Sequence, residues 1–441
     1  MGKPPESPRL FMQRATPVIA VLLFALTGSV FSQRINGRFV TSMYAWQRDD
    51  TIGVQNTYVM GFQAVQFDLY QKDISFHTYL QGFSDFGSLT SSGQAVRLYN
   101  LYFKASNVGN VLDISLGRQP VYAGVGFGTI DGALSRLRFL GDKVVLVGYA
   151  GAVPPPYQKA AVIEHVDKNF MAGGQIIALP VDGGRIAVSY TNSRAEQPSY
   201  FAIRRDSLNN ALGTFVTPEA YSNQFVGVDA SYRLAIPVSV YGRYEYDVNY
   251  EHISRAQLFS RVSVTDQVAL TGEYIYRSPR IPFHSYFSIF PRNSVQEIEG
   301  GVEYNLSPTW RLFGRLARVS YTLDDNRRYT AGVSNDYGTL SYSGSVGFDG
   351  KLNSFSAQCY YPMFERAFIP TLGAEYAEYR LSWDTPVEHV FAGVIGATVR
   401  PMPAFSFDLQ VQALDNRIVQ HDVRFFARAN YWFSERLNLF Q

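Results

Sequence analysis

The sequence predicts an all-β protein, a transmembrane barrel of antiparallel up-and-down strands, on three observations. Apolar and polar side chains alternate through segment after segment, short and long links follow one another, and no stretch after residue 33 has the periodicity of an amphipathic helix. A membrane barrel turns its apolar side chains to lipid and its polar side chains to a wet lumen. A soluble β-sandwich shares the alternation but has no reason to sort its links by length.

The composition is consistent with a membrane barrel. Of the 441 residues, 17% are charged and 15% are aromatic, whereas soluble domains carry about a quarter charged residues. The formal net charge of +2 gives no indication of a nucleic-acid partner. Cys359 is the single cysteine, so no disulfide can form within the chain.

Residues 1–32 have the features of a secretory signal. A positively charged leader precedes the apolar run 18–25 and the small-residue stretch 28–32. We expect cleavage after Ser32, which leaves residues 33–441 as an outer-membrane barrel; an uncleaved N-terminal anchor is the alternative. No later stretch is apolar enough for a membrane-spanning helix.

The clearest strand is 237–248, where Val240 and Tyr244 share one parity and Arg243 and Glu245 share the other. Twenty further segments resemble it. The predicted strands are 34–46, 57–70, 73–83, 94–106, 111–118, 133–140, 143–150, 170–179, 184–191, 223–234, 237–248, 252–264, 267–278, 295–306, 309–320, 338–348, 351–361, 368–383, 387–399, 404–414 and 422–433.

These segments number 21, and a bacterial barrel of one chain has an even number of strands. We therefore expect 18 to 20 strands, with the error between Pro362 and Pro403. Unpaired backbone groups in hydrocarbon cost several kcal/mol each, so the last strand should pair with the first and close the sheet.

The links between the strands differ in length. Tight turns are predicted at 71–72, 141–142, 181–183, 236–237, 265–266, 307–308 and 349–350. Longer links are predicted at 47–56, 84–93, 119–132, 151–169, 192–222, 279–294 and 324–336. Outer-membrane barrels have short periplasmic turns and long extracellular loops, so the pattern predicts the bacterial outer membrane as the location.

Charged side chains on the polar parity are predicted to line the lumen. They are Asp229, Arg233, Arg243, Glu245, Glu273, Arg277, Glu297, Glu299, Glu303, Arg311, Arg315, Asp408, Arg424 and Arg428. Glu297, Glu299 and Glu303 share one strand and face Arg311 and Arg315 of the next strand across one turn, which predicts cross-strand ion pairs. Such pairs would either stiffen the wall or create a transverse field that orients polar solutes.

A glycine-rich segment, 116–132, is the most distinctive link. It contains Gly117-Arg118-Gln119, then a run of glycines, then Asp131-Gly132. In this respect the chain resembles bacterial outer-membrane porins of the broad alginate-export and porin superfamily. The resemblance implies a channel for diffusion of small polar solutes, with loop 117–132 folded inward as a constriction and Arg118, Tyr122 and Asp131 nearest the path.

Two alternatives to this constricted channel remain open. The glycine-rich segment would equally suit a surface loop, in which glycine permits tight turns. The whole chain would also suit a non-conducting barrel, a scaffold or receptor that binds a ligand through its extracellular loops.

The sequence gives little support for catalysis. It contains neither Gly-x-Ser-x-Gly nor His-Glu-x-x-His, and its adjacent Glu-His pairs would point to opposite faces of a strand. His77 shares a parity with Ser75, but no acidic partner is evident. We therefore expect no enzyme, no cofactor and no metal site.

The expected partners are outer-membrane lipid, lipopolysaccharide and small polar solutes. Arg204, Arg205 and Asp206 belong to a long link that would meet lipopolysaccharide or simply be solvated. The aromatic side chains of 279–293 would stack on sugars, enter the membrane or fold over the barrel mouth. A monomer and a homo-oligomer would both fit the pattern.

Overall fold

The fold is given by a computed structural model, which describes residues 33–437 except 52–53, 87–95, 162, 164, 198, 206–208, 210, 219, 221, 234–236, 280–293, 323, 348–349, 383 and 418–421. The predicted signal segment 1–32 and nearly all of the aromatic link 279–293 lie outside the described residues. Among the described residues, no helix is long and apolar enough to cross a membrane.

Twenty-two strands form one closed sheet, and each is antiparallel to its neighbours. They are β1 (Gln33–Thr51), β2 (Val54–Gln71), β3 (Ile74–Asp85), β4 (Val96–Val108), β5 (Leu112–Ala123), β6 (Gly126–Phe139), β7 (Val144–Ala152), β8 (Phe170–Ala178), β9 (Gly184–Arg194), β12 (Ser222–Arg233), β13 (Val238–Asp247), β14 (His252–Ser263), β15 (Val268–Arg277), β16 (Val295–Asn305), β17 (Arg311–Ser320), β18 (Asp325–Asn335), β19 (Gly338–Gly347), β20 (Gly350–Tyr360), β21 (Phe368–Arg380), β22 (Glu388–Met402), β23 (Phe405–Asn416) and β24 (Asp422–Leu437). A separate hairpin, β10 (Tyr200–Arg205) with β11 (Ala211–Val216), lies in the link between β9 and β12.

The barrel closes where β1 pairs with β24, with Phe39 directly opposite Tyr431. Apolar side chains on the outer face are well exposed: Phe39 is 46% exposed, Ile298 62% and Leu316 71%. Charged side chains occupy the other parity and form ion pairs across the inner face. The closed wall has an apolar exterior and a polar interior. The protein is therefore a bacterial outer-membrane barrel, as the sequence predicts.

The predicted strand number of 18 to 20 is wrong, because all 21 predicted segments are strands and one more was missed. The missed strand is β18, which falls within the predicted long link 324–336. Its outer face carries Arg327, Tyr329, Ala331 and Val333, so the apolar alternation is weak. The interval 362–403, where the error was expected, contains β21 and β22 as predicted.

The links are sorted by length between the two rims only in part: six of the seven predicted tight turns share one rim, but the turn predicted at 349–350 lies on the other rim with the longest links. The three longest links, 153–169, 195–221 and 278–294, share one rim, which we call the outer rim. The other rim is the periplasmic rim, and its longest turn is 361–367. Besides 324–336, two predicted long links are wrong: most of 47–56 belongs to β1 and β2, and most of 119–132 belongs to β5 and β6.

Candidate functional site: the inner face and a folded-back hairpin

The inner face of the barrel carries all fourteen side chains that the sequence assigns to the lumen. Register partners share a face of the sheet, and the opposite parity of each strand carries the exposed apolar side chains. Ion pairs join many of the inward charges. The pairs are Arg138–Asp113, Arg185–Asp229, Arg243–Glu245, Arg261–Glu303, Arg315–Glu299, Arg328–Glu297, Arg328–Glu299, Arg424–Asp422 and Arg428–Asp408.

The glutamates of β16 have arginine partners on both sides. Arg328 of β18 contacts Glu297 and lies 3.1 Å from Glu299, while Arg261 of β14 lies 3.2 Å from Glu303. Arg315 of β17 lies 3.9 Å from Glu299. These carboxylates are therefore balanced within their own part of the wall, which does not favour separate acidic and basic walls.

Several inward arginines have no carboxylate partner among the described residues. Arg311 is one, so the predicted pairing across the β16–β17 turn holds for Arg315 alone. Arg136 is another, and it lines a cavity of about 540 Å³ near the periplasmic rim together with Arg138, Arg185, Asp113 and Asp142. The inner face thus presents guanidinium groups that are available to a solute.

The hairpin formed by β5 and β6 leaves the barrel wall. Strand β5 pairs with β4 only as far as Arg118, and β6 pairs with β7 only from Asp131. Between these points, residues 119–130 pair only with each other and turn at Gly124 and Val125. We call residues 119–130 the inner hairpin.

Two glycines stand opposite each other where the inner hairpin leaves the wall. Gly117 has a φ of 126°, and a methyl group there would overlap the carbonyl oxygen of Leu101. A methyl group at Gly132 would overlap the carbonyl oxygen of Ala150. Only glycine tolerates these close approaches, so this pair permits the bend.

One face of the inner hairpin packs on the inner wall of the barrel. Val121 and Ile130 are 0% exposed and contact Tyr149 of β7 and Met171 of β8 in a small apolar cluster. The hairpin therefore folds back onto the inner face of the strands that follow it, and its buried area stabilises this position.

The tip of the inner hairpin is held by polar contacts further around the barrel. The Val125 amide donates to Ser189 Oγ of β9 at 3.0 Å, and Arg243 Nη2 of β13 donates to the Gly124 carbonyl at 3.3 Å. Strand β13 is the fifth strand after β6 in the wall. The inner hairpin therefore covers the inner face from β7 to β13.

The other face of the inner hairpin points away from the wall. Its aromatic pair, Tyr122 and Phe127, is 73% and 76% exposed, and the ring centroids lie 5.4 Å apart. Of these two residues, the sequence pattern indicated Tyr122 and not Phe127. The two residues are cross-strand partners, so the signal would have been visible had the segment been treated as a hairpin.

Arg118 and Asp131 lie at the root of the inner hairpin and not beside its aromatic pair. Arg118 is 4% exposed and forms a bidentate ion pair with Asp131. Its Nη1 atom also donates to the carbonyl oxygens of Leu98 and Lys159, at 3.2 and 2.7 Å. Arg118 therefore ties the hairpin to β4 and to the outer link 153–169.

A hydrogen-bonded relay, whose acidic member the sequence did not reveal, lies on the inner face of β2 and β3. His77 Nδ1 lies 2.6 Å from Asp68 Oδ1, and His77 Nε2 lies 2.8 Å from Ser75 Oγ. Serine hydrolases use the same order of carboxylate, imidazole and hydroxyl groups. They also need free backbone N–H groups beside the serine, which donate hydrogen bonds to the oxyanion of the reaction intermediate. Here Ser75 is 7% exposed and β3 is paired on both sides, so its peptide N–H groups serve the sheet.

Neither protein-family models nor curated proteins match this chain. Solved structures align along most of it. OccAB4 of Acinetobacter baumannii is 8% identical, with a TM-score of 0.44 over 92% of this chain and 99% of that chain. The translocation pore of the P pilus usher PapC is 9% identical, with a TM-score of 0.44 over 90% and 99%. A BenF-like porin of Pseudomonas fluorescens Pf-5 is 9% identical, with a TM-score of 0.40 over 91% and 99%.

These identities and TM-scores are low. The assignment as an outer-membrane barrel therefore rests on the chain's own closed wall and on the distribution of its side chains. The resemblance to the alginate-export and porin superfamily stays a prediction. Within the described residues, no group of His, Cys, Asp and Glu side chains could hold a metal ion.

Proposed function

We propose that the protein is a channel through which small polar solutes diffuse across the outer membrane, with the inner hairpin as its constriction. The observation that carries this proposal is the position of residues 119–130, packed on the inner wall with Tyr122 and Phe127 exposed on the other side. This arrangement narrows the lumen without filling it from wall to wall.

The size of the barrel supports the proposal. Twenty-two strands spaced about 4.8 Å apart and tilted by about 40° enclose a circular backbone section roughly 44 Å across. A hairpin lying flat against a wall is roughly 10 Å thick, which is the spacing of packed sheets. The remaining space would admit hydrated solutes wherever the outer links leave it open.

The inner charges support a polar solute with a weak preference for anions. The carboxylates of β16 are balanced by Arg261, Arg315 and Arg328, whereas Arg136 and Arg311 have no such partner among the described residues. Among the described inward residues, Glu273 and Glu375 also form no ion pair, but they are outnumbered by Arg136, Arg233, Arg277 and Arg311. A lumen with such an excess of positive charge raises the local concentration of anions.

The test is single-channel conductance of the purified, refolded protein in planar bilayers. We expect discrete steps, and larger steps from a variant in which Asn-Gly replaces residues 119–130. The matched control removes residues 200–216, which contain the separate hairpin β10–β11 outside the barrel wall, and should keep the conductance within about twofold.

Three results would count against parts of the proposal. If neither the natural chain nor the 119–130 variant conducts, the protein is not a channel, and a scaffold or receptor is favoured. Steps of equal size from both would leave a channel but remove the inner hairpin as its constriction. A preference for cations would contradict the selectivity.

A further inference from the structure

The outer face of β17–β21 carries a transverse row of cations at the outer rim. Arg318 of β17 lies directly opposite Arg327 of β18, which lies opposite Val346 of β19. Val346 lies opposite Lys351 of β20, and Lys351 lies opposite Arg380 of β21. We call Arg318, Arg327, Lys351 and Arg380 the cation row.

The cation row points to the membrane side of the wall and not to the lumen. On the same face, the next position below the row is occupied by Leu316 of β17 and Tyr329 of β18. Tyr342 of β19 and Phe355 of β20 lie one position lower on that face. Leu316, Tyr342 and Phe355 are exposed apolar or aromatic side chains of the outer face. Strand β20 begins at Gly350 and β21 ends at Arg380, so the row lies at the outer ends of these strands.

Like charges face each other twice in this row. Arg318 opposes Arg327, and Lys351 opposes Arg380, and direct opposition of like charges destabilises a sheet. Asp325 forms an ion pair with Arg318. Together with Glu378, two positions below Arg380, the described strand residues of the outer face here comprise four cations and two carboxylates, and neither Arg327 nor Lys351 forms an ion pair among the described residues. The cation row therefore favours an additional anion between its members.

A polar and aromatic belt lies directly below the cation row. The hydroxyl groups of Tyr329 and Tyr342 both donate to Asn353 Oδ1, at 3.3 and 3.1 Å. Tyr376 Oη lies 2.7 Å from His389 Nδ1. Tyrosines of this kind occupy the interface between hydrocarbon and head groups, which places the cations above them among the phosphates.

We propose that the cation row binds the phosphate group of a phosphorylated lipid in the outer leaflet. A phosphate offers several oxygens that can accept from opposed guanidinium and ammonium groups at once. Because the row is on the lipid-facing side of the wall, the ligand lies in the bilayer with its acyl chains along the apolar face beneath. The site is independent of any channel activity.

The test is native mass spectrometry of the purified protein in detergent with diphosphorylated lipid A and its dephosphorylated form. We expect the natural chain to retain the phosphorylated lipid preferentially. The double variant Arg327→Gln with Lys351→Gln should weaken retention roughly thirtyfold, since each cation at a membrane surface contributes a fewfold to tenfold gain for an anionic lipid.

The matched control is Arg194→Gln. Arg194 lies on the outer parity at the outer rim of β9, opposite Phe170 and Ser222, and faces no second cation. It should retain the lipid as the natural chain does. Thermal unfolding without lipid checks folding: the double variant should be at least as stable as the natural chain, because it removes opposed like charges.

Three results would overturn the proposal. One is retention by the double variant equal to that of the natural chain. Another is equal retention of the dephosphorylated lipid. The third is displacement of the lipid by an equal concentration of inorganic phosphate, which would assign the cations to a free anion.

Discussion

The Arg118 guanidinium and the Asp131 carboxylate are joined by two hydrogen bonds of 2.6 Å at the root of the inner hairpin. Two parallel bonds fix both the distance and the plane of the two groups, so the bend between wall and hairpin has one geometry. Because Arg118 also holds the backbone of β4 and of an outer link, this pair couples the hairpin to the mouth of the barrel.

We expect Asp131→Asn to lower the free energy of unfolding by about 3 kcal/mol, because it leaves the buried Arg118 guanidinium without its counter-charge. Urea titration in detergent measures the loss, and open-channel noise should rise as the hairpin loosens. The control Arg417→Gln breaks a pair whose arginine is 67% exposed, and should cost less than about 1 kcal/mol. A loss no larger than the control's would show that the pair does not hold the hairpin.

The hinge glycines give a second prediction. Gly132→Ala places a methyl group against the carbonyl oxygen of Ala150, so the root of the hairpin must shift. We expect a lower yield of folded barrel or a changed conductance. Gly300→Ala, in β16 of the same sheet, is the matched control, because a methyl group there meets no atom within 4 Å. Identical behaviour of the two variants would mean that the bend does not depend on this glycine.

Arg311 of β17, which has no carboxylate partner among the described residues, gives a third prediction. Arg311→Gln should move the reversal potential in a salt gradient toward cation selectivity while leaving the stability unchanged. Arg328→Gln removes the same charge but also leaves Glu297 and Glu299 without their shared partner, so it should also destabilise the barrel by about 1 kcal/mol. If Arg311→Gln leaves the reversal potential unchanged, the inward charges do not set selectivity.

The relay at His77 gives a fourth prediction. Ser75 is buried and its strand offers no free backbone donors, so a fluorophosphonate probe should not label the folded protein. We expect Ser75→Ala to fold and conduct as the natural chain does. His77→Ala should be less stable, because it leaves Asp68 without its hydrogen-bond partner. Labelling that disappears in Ser75→Ala would identify a hydrolase instead.

The sequence could predict those features of the barrel that follow from the alternation of side chains within a single strand. The two-residue period of β13, with Tyr244 on one face and Arg243 on the other, placed side chains on the correct side of the wall. The same logic failed for β18, where Arg327 and Ala331 occupy outer positions that other strands fill with large apolar residues. Part of the site was predictable too, because Tyr122 and the glycine-rich segment stand out in the sequence.

The sequence by itself determined the class of fold and the two faces of nearly every strand, because the direction of a side chain follows from its parity along one strand. The tertiary structure alone decided where β5 parts from β4, that Asp68 is the partner of His77, and that Arg327 and Lys351 fall in one row. Each of these depends on the register between strands, and register is set by pairing of segments that parity along a single strand does not specify.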